Sequence, residues 1–283
     1  MTELRATGWQ KFWAEGRWWK AALVVVLYLA LYRLAGFILG ALFGDFVDKD
    51  NIFANPASVF FGIGAPIVVG AALLVIFVAS VGWVRPIFSR QPVPGRWWMW
   101  IFVVLVIVPI VLRFAGIDYA EYGVAVVATS LFVGLFIGFT EELLYRGIVV
   151  KILRDGGHRE WTVAVLSSLI FALSHLLNLL SGQAVLVVLV TVVFTFGFGL
   201  MMYLVMRATG NIVWAMLIHA LTDPTTFLAA GGVDASNGAA HSPILDVAAP
   251  FNYLFVLAAL IALIFIRGRV TARANLPVAS EAL

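Results

Sequence analysis

Eight apolar runs, each about long enough to cross a bilayer, set what this chain can fold into. They fall near 21–43, 57–83, 96–114, 123–150, 161–180, 184–206, 210–229 and 249–266. A hydrocarbon core about 30 Å thick takes roughly 20 apolar residues as a helix. The expected fold class is therefore all-α: a polytopic membrane helix bundle of about eight transmembrane helices. With 63% of residues hydrophobic and 12% charged, little sequence is left for a soluble module. The expected organisation is an interfacial segment at 1–20, one integral bundle at 21–267 and a tail at 268–283.

Lysine and arginine placement then predicts direction. The N-terminal side carries Arg5, Lys11, Arg17 and Lys20. Alternate sides carry Arg85, Arg90 and Arg96, then Lys151, Arg154 and Arg159, then Arg207, then Arg267, Arg269 and Arg273. The opposite loops carry Lys49 alone, beside acids such as Asp50, Asp118, Asp234 and Asp246. A split of 14 against 1 predicts both termini in the cytoplasm. The bias also supports an even number of spans. The net charge of +3 then reads as topology and not as a nucleic-acid footprint. Trp9, Trp13, Trp18 and Trp19 alternate with the N-terminal bases, which predicts an amphipathic interfacial segment and not a cleaved signal peptide.

Several local features carry expectations of their own. There is no cysteine, so disulfides, a thiol nucleophile and thiolate metal sites are excluded. Pro66 and Pro109 are expected to kink the second and third spans. Gly36, Gly40 and Gly44 in the first span, and Gly134 and Gly138 in the fourth, are spaced to let a neighbouring helix come close.

Against this apolar background, Glu141-Glu142-Leu143-Leu144-Tyr145-Arg146 stands out. A central Asp, Lys or Arg costs ~2.5–3.5 kcal/mol on the insertion scale. With Glu taken as similar, the cluster approaches ~7–10 kcal/mol before pairing, comparable with a domain's net stability of ~5–15 kcal/mol. The other intramembrane acids and histidines are His175, His219 and Asp223, on the fifth and seventh runs. Counted from the cytoplasmic ends of their spans, Glu141, His175 and His219 lie roughly 14, 21 and 14 Å deep. Antiparallel helices bring them to a similar level. Arg33 and Arg113 are the other bases in or near the membrane, and Arg113 can snorkel at its helix end.

Spacing groups these residues further. Glu142 and Arg146 are i and i+4 with the acid N-terminal, the favourable order for an ion pair. Phe171 and His175, and His219 and Asp223, have the same spacing. Pro224 follows at once and is expected to end that helix. Adjacent glutamates diverge by about 100° around a helix. If Arg146 occupies Glu142, Glu141 is left without a permanent cation and free to act as a general base. Each pair alone has a structural reading: an ion pair, a hydrogen-bonded core histidine, an inter-helix staple. Three such pairs at one depth argue for a site. Asn211 reads as a helix cap; Asn178 either bridges helices or lines the site; Tyr145 and Phe171 read as packing, with Phe171 a candidate pocket wall.

These motifs resemble those of the CPBP (Abi) family of intramembrane proteases, which includes CAAX prenyl proteases and bacteriocin-processing enzymes. The family pattern is two glutamates, three residues and arginine (Glu141, Glu142, Arg146), then phenylalanine, three residues and histidine (Phe171, His175), then histidine, three residues and Asn or Asp (His219, Asp223). The resemblance covers about 123–229, the expected protease core. It implies hydrolysis of a peptide bond in a membrane-associated peptide or protein. Glu141 would be the general base, His175 would position the water, and His219 with Asp223 would stabilise the oxyanion. Glu142 and Arg146 would hold the site's shape. The prenyl-protease branch has Asn where Asp223 stands, and an ionised aspartate repels an oxyanion. Asp223 must then be protonated, orient His219 or ligate a metal.

No cofactor is required on this reading. A zinc mechanism is the alternative, with Glu141, His175, His219 and Asp223 as an N/O ligand set. Two other functions share the same residues: a proton-coupled transporter, and a non-catalytic scaffold or immunity protein of the same family. The expected partners are the lipid bilayer and a membrane-associated peptide, with no nucleic acid. The compact form favours a bacterial inner membrane. The sequence specifies neither the oligomeric state nor the substrate.

Overall fold

The computed structural model describes residues 7–231 and 242–270. Arg5, Asp234 and Arg273 of the charge pattern lie outside them. Among the described residues, eight helices are long and apolar enough to cross a membrane: α1 (Trp18–Phe46), α2 (Pro56–Ser80), α3 (Trp97–Gly116), α4 (Tyr119–Asp155), α5 (Glu160–Ser181), α6 (Val185–Thr209), α7 (Ile212–Ala230) and α8 (Pro243–Leu263). The chain is an all-α, multi-pass membrane protein. Among the described residues the only strand-like pairing is one antiparallel bridge between Arg159 and Arg269. Each apolar run became a helix. The last starts earlier than its hydropathy suggests, because Pro243–Ala248 forms a first turn ahead of Phe251–Leu263.

The bundle is organised around α6. From Gly197 to Arg207 every residue of α6 is buried, and it packs against α3, α5, α7 and α8. A helix apolar on all sides needs neighbours on all sides. The outer faces of α1, α6 and α8 expose Leu34, Phe37, Leu186, Val190 and Leu257, the apolar surface that lipid solvates.

α4 and α7 make the contact that matters most for function. A methyl added at Gly138 would collide with the Met216 carbonyl and the Ala220 backbone. One at Gly134 would meet the Ala220 carbonyl and the Pro224 ring. Small residues thus let the two backbones touch, as expected for this pair. Gly138 is one turn before Glu142, and Met216 is one turn before His219. The close approach carries those two side chains into reach of each other. Gly36, Gly40 and Gly44 behave differently: nothing lies within 4 Å of a methyl placed on any of them, so no helix of the described residues packs there.

Three further expectations are corrected. Pro224 does not end α7, which continues to Ala230; the ring packs into the gap left by Gly134, and membrane helices tolerate proline where neighbours close around it. Arg113 does not snorkel. It is buried and donates to Asn252 Oδ1 at 2.8 Å. The segment before α1 is more than interfacial: Trp13 on the short helix Gly8–Ala14 is buried edge-on against Phe77, and buried Lys20 donates to the Phe12 carbonyl.

At the lysine- and arginine-rich end, Glu160 anchors a second charged cluster. Its Oε1 accepts from Arg154 Nε at 2.8 Å. Its Oε2 accepts from Arg154 Nη2 at 2.7 Å, from Arg207 Nη1 at 2.8 Å and from the Tyr203 hydroxyl. Arg154 also donates to Gln91 at 2.6 Å and Arg207 to the Pro94 carbonyl at 2.9 Å. The Glu160 amide donates to Gly268 O at 2.9 Å, and Arg269 donates to Gly157 O at 2.6 Å. Residues 268–270 are therefore docked against the bundle and are not part of a free tail.

Candidate active site

α4, α5 and α7 bring all six expected site residues into one region, on two levels. The lower level is sealed. Glu142 Oε1 accepts from Arg146 Nη1 at 3.0 Å, the i,i+4 pair read from spacing. The same oxygen accepts from His219 Nδ1 at 2.8 Å. Arg146 Nη2 donates to the Gly199 carbonyl of α6 at 2.9 Å, and its guanidinium lies over the Phe171 ring at 4.7 Å. All three side chains are almost fully buried. Leu143–Val149 forms a wide π-helical turn straight after Glu142, a local irregularity frequent at functional sites.

The upper level is open. Glu141 and His175 line a cavity of about 660 Å³ together with Tyr28 and Tyr32 of α1, Tyr145 of α4 and Asn178 of α5. Lys49–Phe53, Gln183 and Gly231 line it as well. These belong to the connections α1–α2, α5–α6 and α7–α8, all at the end opposite the lysine- and arginine-rich loops. The Glu141 carboxyl keeps 27% of its side chain exposed, whereas Glu142 keeps none. Adjacent glutamates thus have opposite surroundings, as their angular divergence on the helix requires.

His175 is held by a change of helix type. The α-helical part of α5 ends at Ser174, and His175–Ser181 continues as 3₁₀. The His175 amide bonds to the Ala172 carbonyl, which leaves the Phe171 carbonyl for side chains. That oxygen lies 3.0 Å from His175 Nδ1 and also accepts from Ser174 Oγ at 2.5 Å. A carbonyl can only accept, so the shared proton sits on Nδ1. Ser174 in turn accepts from the Tyr145 hydroxyl at 2.8 Å. The Phe171 ring meets His175 and Tyr145 edge-on, each at 5.0 Å, and His219 at 6.1 Å. Phe171 is therefore a hub between both levels.

His219 lies between the levels. With Nδ1 against Glu142, its Nε2 faces Glu141 Oε2 and Asp223 Oδ2, each at 3.6 Å. The expected His219–Asp223 pair is thus adjacent but longer than a hydrogen bond, and the short bond of His219 goes to Glu142. Phe198 closes the imidazole edge-on at 4.9 Å. Asp223 flanks the cluster without lining the cavity. Among the described residues, no group of three or more His, Asp or Glu is arranged to hold a metal ion.

Three features escaped the sequence reading. The Glu142–His219 bond crosses two helices, and no spacing rule reports it. Tyr28 and Tyr32 lie on a span that bears no motif, and only tertiary packing brings them to Glu141. The Tyr145–Ser174 bond was hidden because both residues have ordinary packing roles in a helix. Arg113 contributes nothing to the cavity lining, whereas Arg33 does.

Comparison with known proteins finds one family match. Residues 123–225 match the family model described as Type II CAAX prenyl endopeptidase Rce1-like. The matched segment holds all six residues and runs from α4 into α7. The match supports a CAAX-type endopeptidase in general terms and is consistent with membership of the CPBP intramembrane proteases. No curated protein and no solved structure matches the chain.

Proposed function

We propose that the protein is an intramembrane peptidase in which Glu141 activates a water to attack a peptide carbonyl. The observation that carries this reading is the split between adjacent glutamates: Glu142 is spent on Arg146 and His219, while Glu141 meets the cavity beside His175. Glu141 takes a proton from the water as general base. In the neutral His175 ring, with Nδ1–H donated to the Phe171 carbonyl, Nε2 accepts from that water and orients it. His219, steadied through Nδ1 by Glu142, offers Nε2–H to the oxyanion. Asp223 orients His219 and does not touch the oxyanion. Glu142 and Arg146 are positioning residues.

The substrate on this reading is a membrane-associated peptide or protein. The charge bias supports cytoplasmic termini, and on that reading the cavity mouth opens on the opposite side of the membrane. Comparative terminal proteomics of membranes bearing the wild type or Glu141→Gln tests the assignment. New peptide termini present with the wild type and absent with the variant are expected. Identical terminal profiles, with both proteins present at equal levels, would reject it.

A further inference from the structure

The lysine- and arginine-rich end carries more cations than its acids can pair. Among the described residues the acids there are Glu15, Asp155 and Glu160. Glu15 faces Arg17 and Lys20, Asp155 binds Lys151 at 2.8 Å, and Glu160 is taken by Arg154 and Arg207. Arg159 and Arg269 are exposed, and none of these acids pairs with either.

These two arginines are not scattered surface charges. They stand opposite each other in the antiparallel bridge that joins the start of α5 to the segment after α8. The bridge is made by the Glu160 amide, which donates to Gly268 O at 2.9 Å. Residues 159 and 269 are therefore a non-hydrogen-bonded pair, the class in which side chains come closest. Side chains directly opposite leave the same face with Cβ atoms about 4.5–5.5 Å apart, and like charges so placed repel. Arg269 Nε donates to Gly157 O at 2.6 Å, so this guanidinium cannot swing away without losing that bond. The positive end of the α5 dipole adds to the same field. An anion held by both guanidiniums replaces the repulsion with two attractions.

Position selects the anion. Trp161 lies two residues beyond Arg159 and Phe265 four before Arg269, and both rings are exposed. Phe265 lies 6.0 Å from Trp98. Aromatic rings at the ends of spans mark the headgroup level of a bilayer. Directly below, Leu260, Ile261 and Ile264 of α8 are exposed and apolar, a surface along which acyl chains can lie.

We propose that Arg159 and Arg269 form a binding site for the headgroup phosphate of an anionic phospholipid. A guanidinium fork matches phosphate oxygens in paired hydrogen bonds, and basic pockets at helix ends hold anionic headgroups in this way. The bound lipid fastens residues 268–270 to the start of α5, on top of the Glu160 clasp. The site lies at the opposite end of the bundle from the cavity mouth and does not depend on the peptidase reading.

The probes are dioleoylphosphatidylglycerol and dioleoylphosphatidylcholine, offered in equal amounts to the detergent-purified full chain. Retained lipid is counted by native mass spectrometry. The wild type is expected to keep roughly tenfold more of the anionic lipid. Arg159→Gln/Arg269→Gln should lose most of that preference, and Arg159→Lys/Arg269→Lys should recover part of it. Arg85→Gln/Arg90→Gln removes the same charge from exposed arginines at the same end and should keep the wild-type ratio. Should the Gln pair melt well below the wild type in lipid-free detergent, the single variants Arg159→Gln and Arg269→Gln carry the comparison, each losing part of the preference. Equal retention of both lipids by the wild type, or a preference that survives loss of both arginines, would overturn the proposal. So would an equal loss in the Arg85/Arg90 control, which would reveal a general field and no site. Displacement of the lipid by millimolar glycerol phosphate would assign the pair to a soluble phosphate and also overturn it.

Discussion

Two buried acids, Glu142 and Glu160, sit in one bundle with different neighbours. Glu160 uses both oxygens: four donors from Arg154, Arg207 and Tyr203 converge on it. It is closed in on every side and ties the ends of α4, α5 and α6 to residues 268–270. Glu142 places Arg146 and His219 on one oxygen, and its Oε2 has no hydrogen-bond partner among the described residues. Its neighbour Glu141 opens onto a cavity. The saturated cluster behaves as a clasp. The incompletely satisfied one, with a cavity-facing acid beside it, has the features of a site that trades stability for chemistry.

The comparison can be broken most forcefully at Glu160. Glu160→Ala strips the counter-charge from Arg154 and Arg207 and should cost about 3–5 kcal/mol, because two guanidiniums are left buried and uncompensated. Thermal melts of purified protein in detergent would read this as a large fall in Tm. A melt close to wild type would show that the clasp contributes little. Glu142→Gln is the sharper counterpart. An amide of similar shape keeps one acceptor for Arg146 but loses the charge, so a smaller loss, about 1.5–3 kcal/mol, is expected. A double-mutant cycle with His219→Gln should return a coupling above about 0.5 kcal/mol if the 2.8 Å bond is real. Additive losses would deny it. Smallest is Tyr203→Phe, which removes one of the four donors to Glu160 and should cost about 1 kcal/mol. A loss as large as that of Glu160→Ala would mean the hydroxyl, and not the arginines, holds the clasp.

The same two regions show what was legible in the sequence and what was not. Helices were readable because bilayer thickness fixes the length of an apolar run. The Glu142–Arg146 pair was readable because i,i+4 spacing is local. The freedom of Glu141 followed from the angle between neighbours on a helix. Glu160 was overlooked, and Arg154 and Arg207 counted only as topology charges. Their pairing joins residues 6 to 47 positions apart, and charge counting cannot distinguish a solvated arginine from a clasped one. The role of Pro224 was misread for a similar reason: its ring is accommodated in the gap that Gly134 leaves on another span, and the helix runs on. The tautomer of His175 depends on where α5 turns 3₁₀, which no residue pattern in Ser174–Asn178 announces.

Glu141 is the point at which the account is most exposed. The decisive measurement is the melting temperature and the substrate cleavage of purified Glu141→Gln, taken side by side with the wild type. The account predicts an unchanged melt, within about 0.5 kcal/mol of stability, together with complete loss of cleavage. Cleavage that persists in a normally folded variant would contradict it.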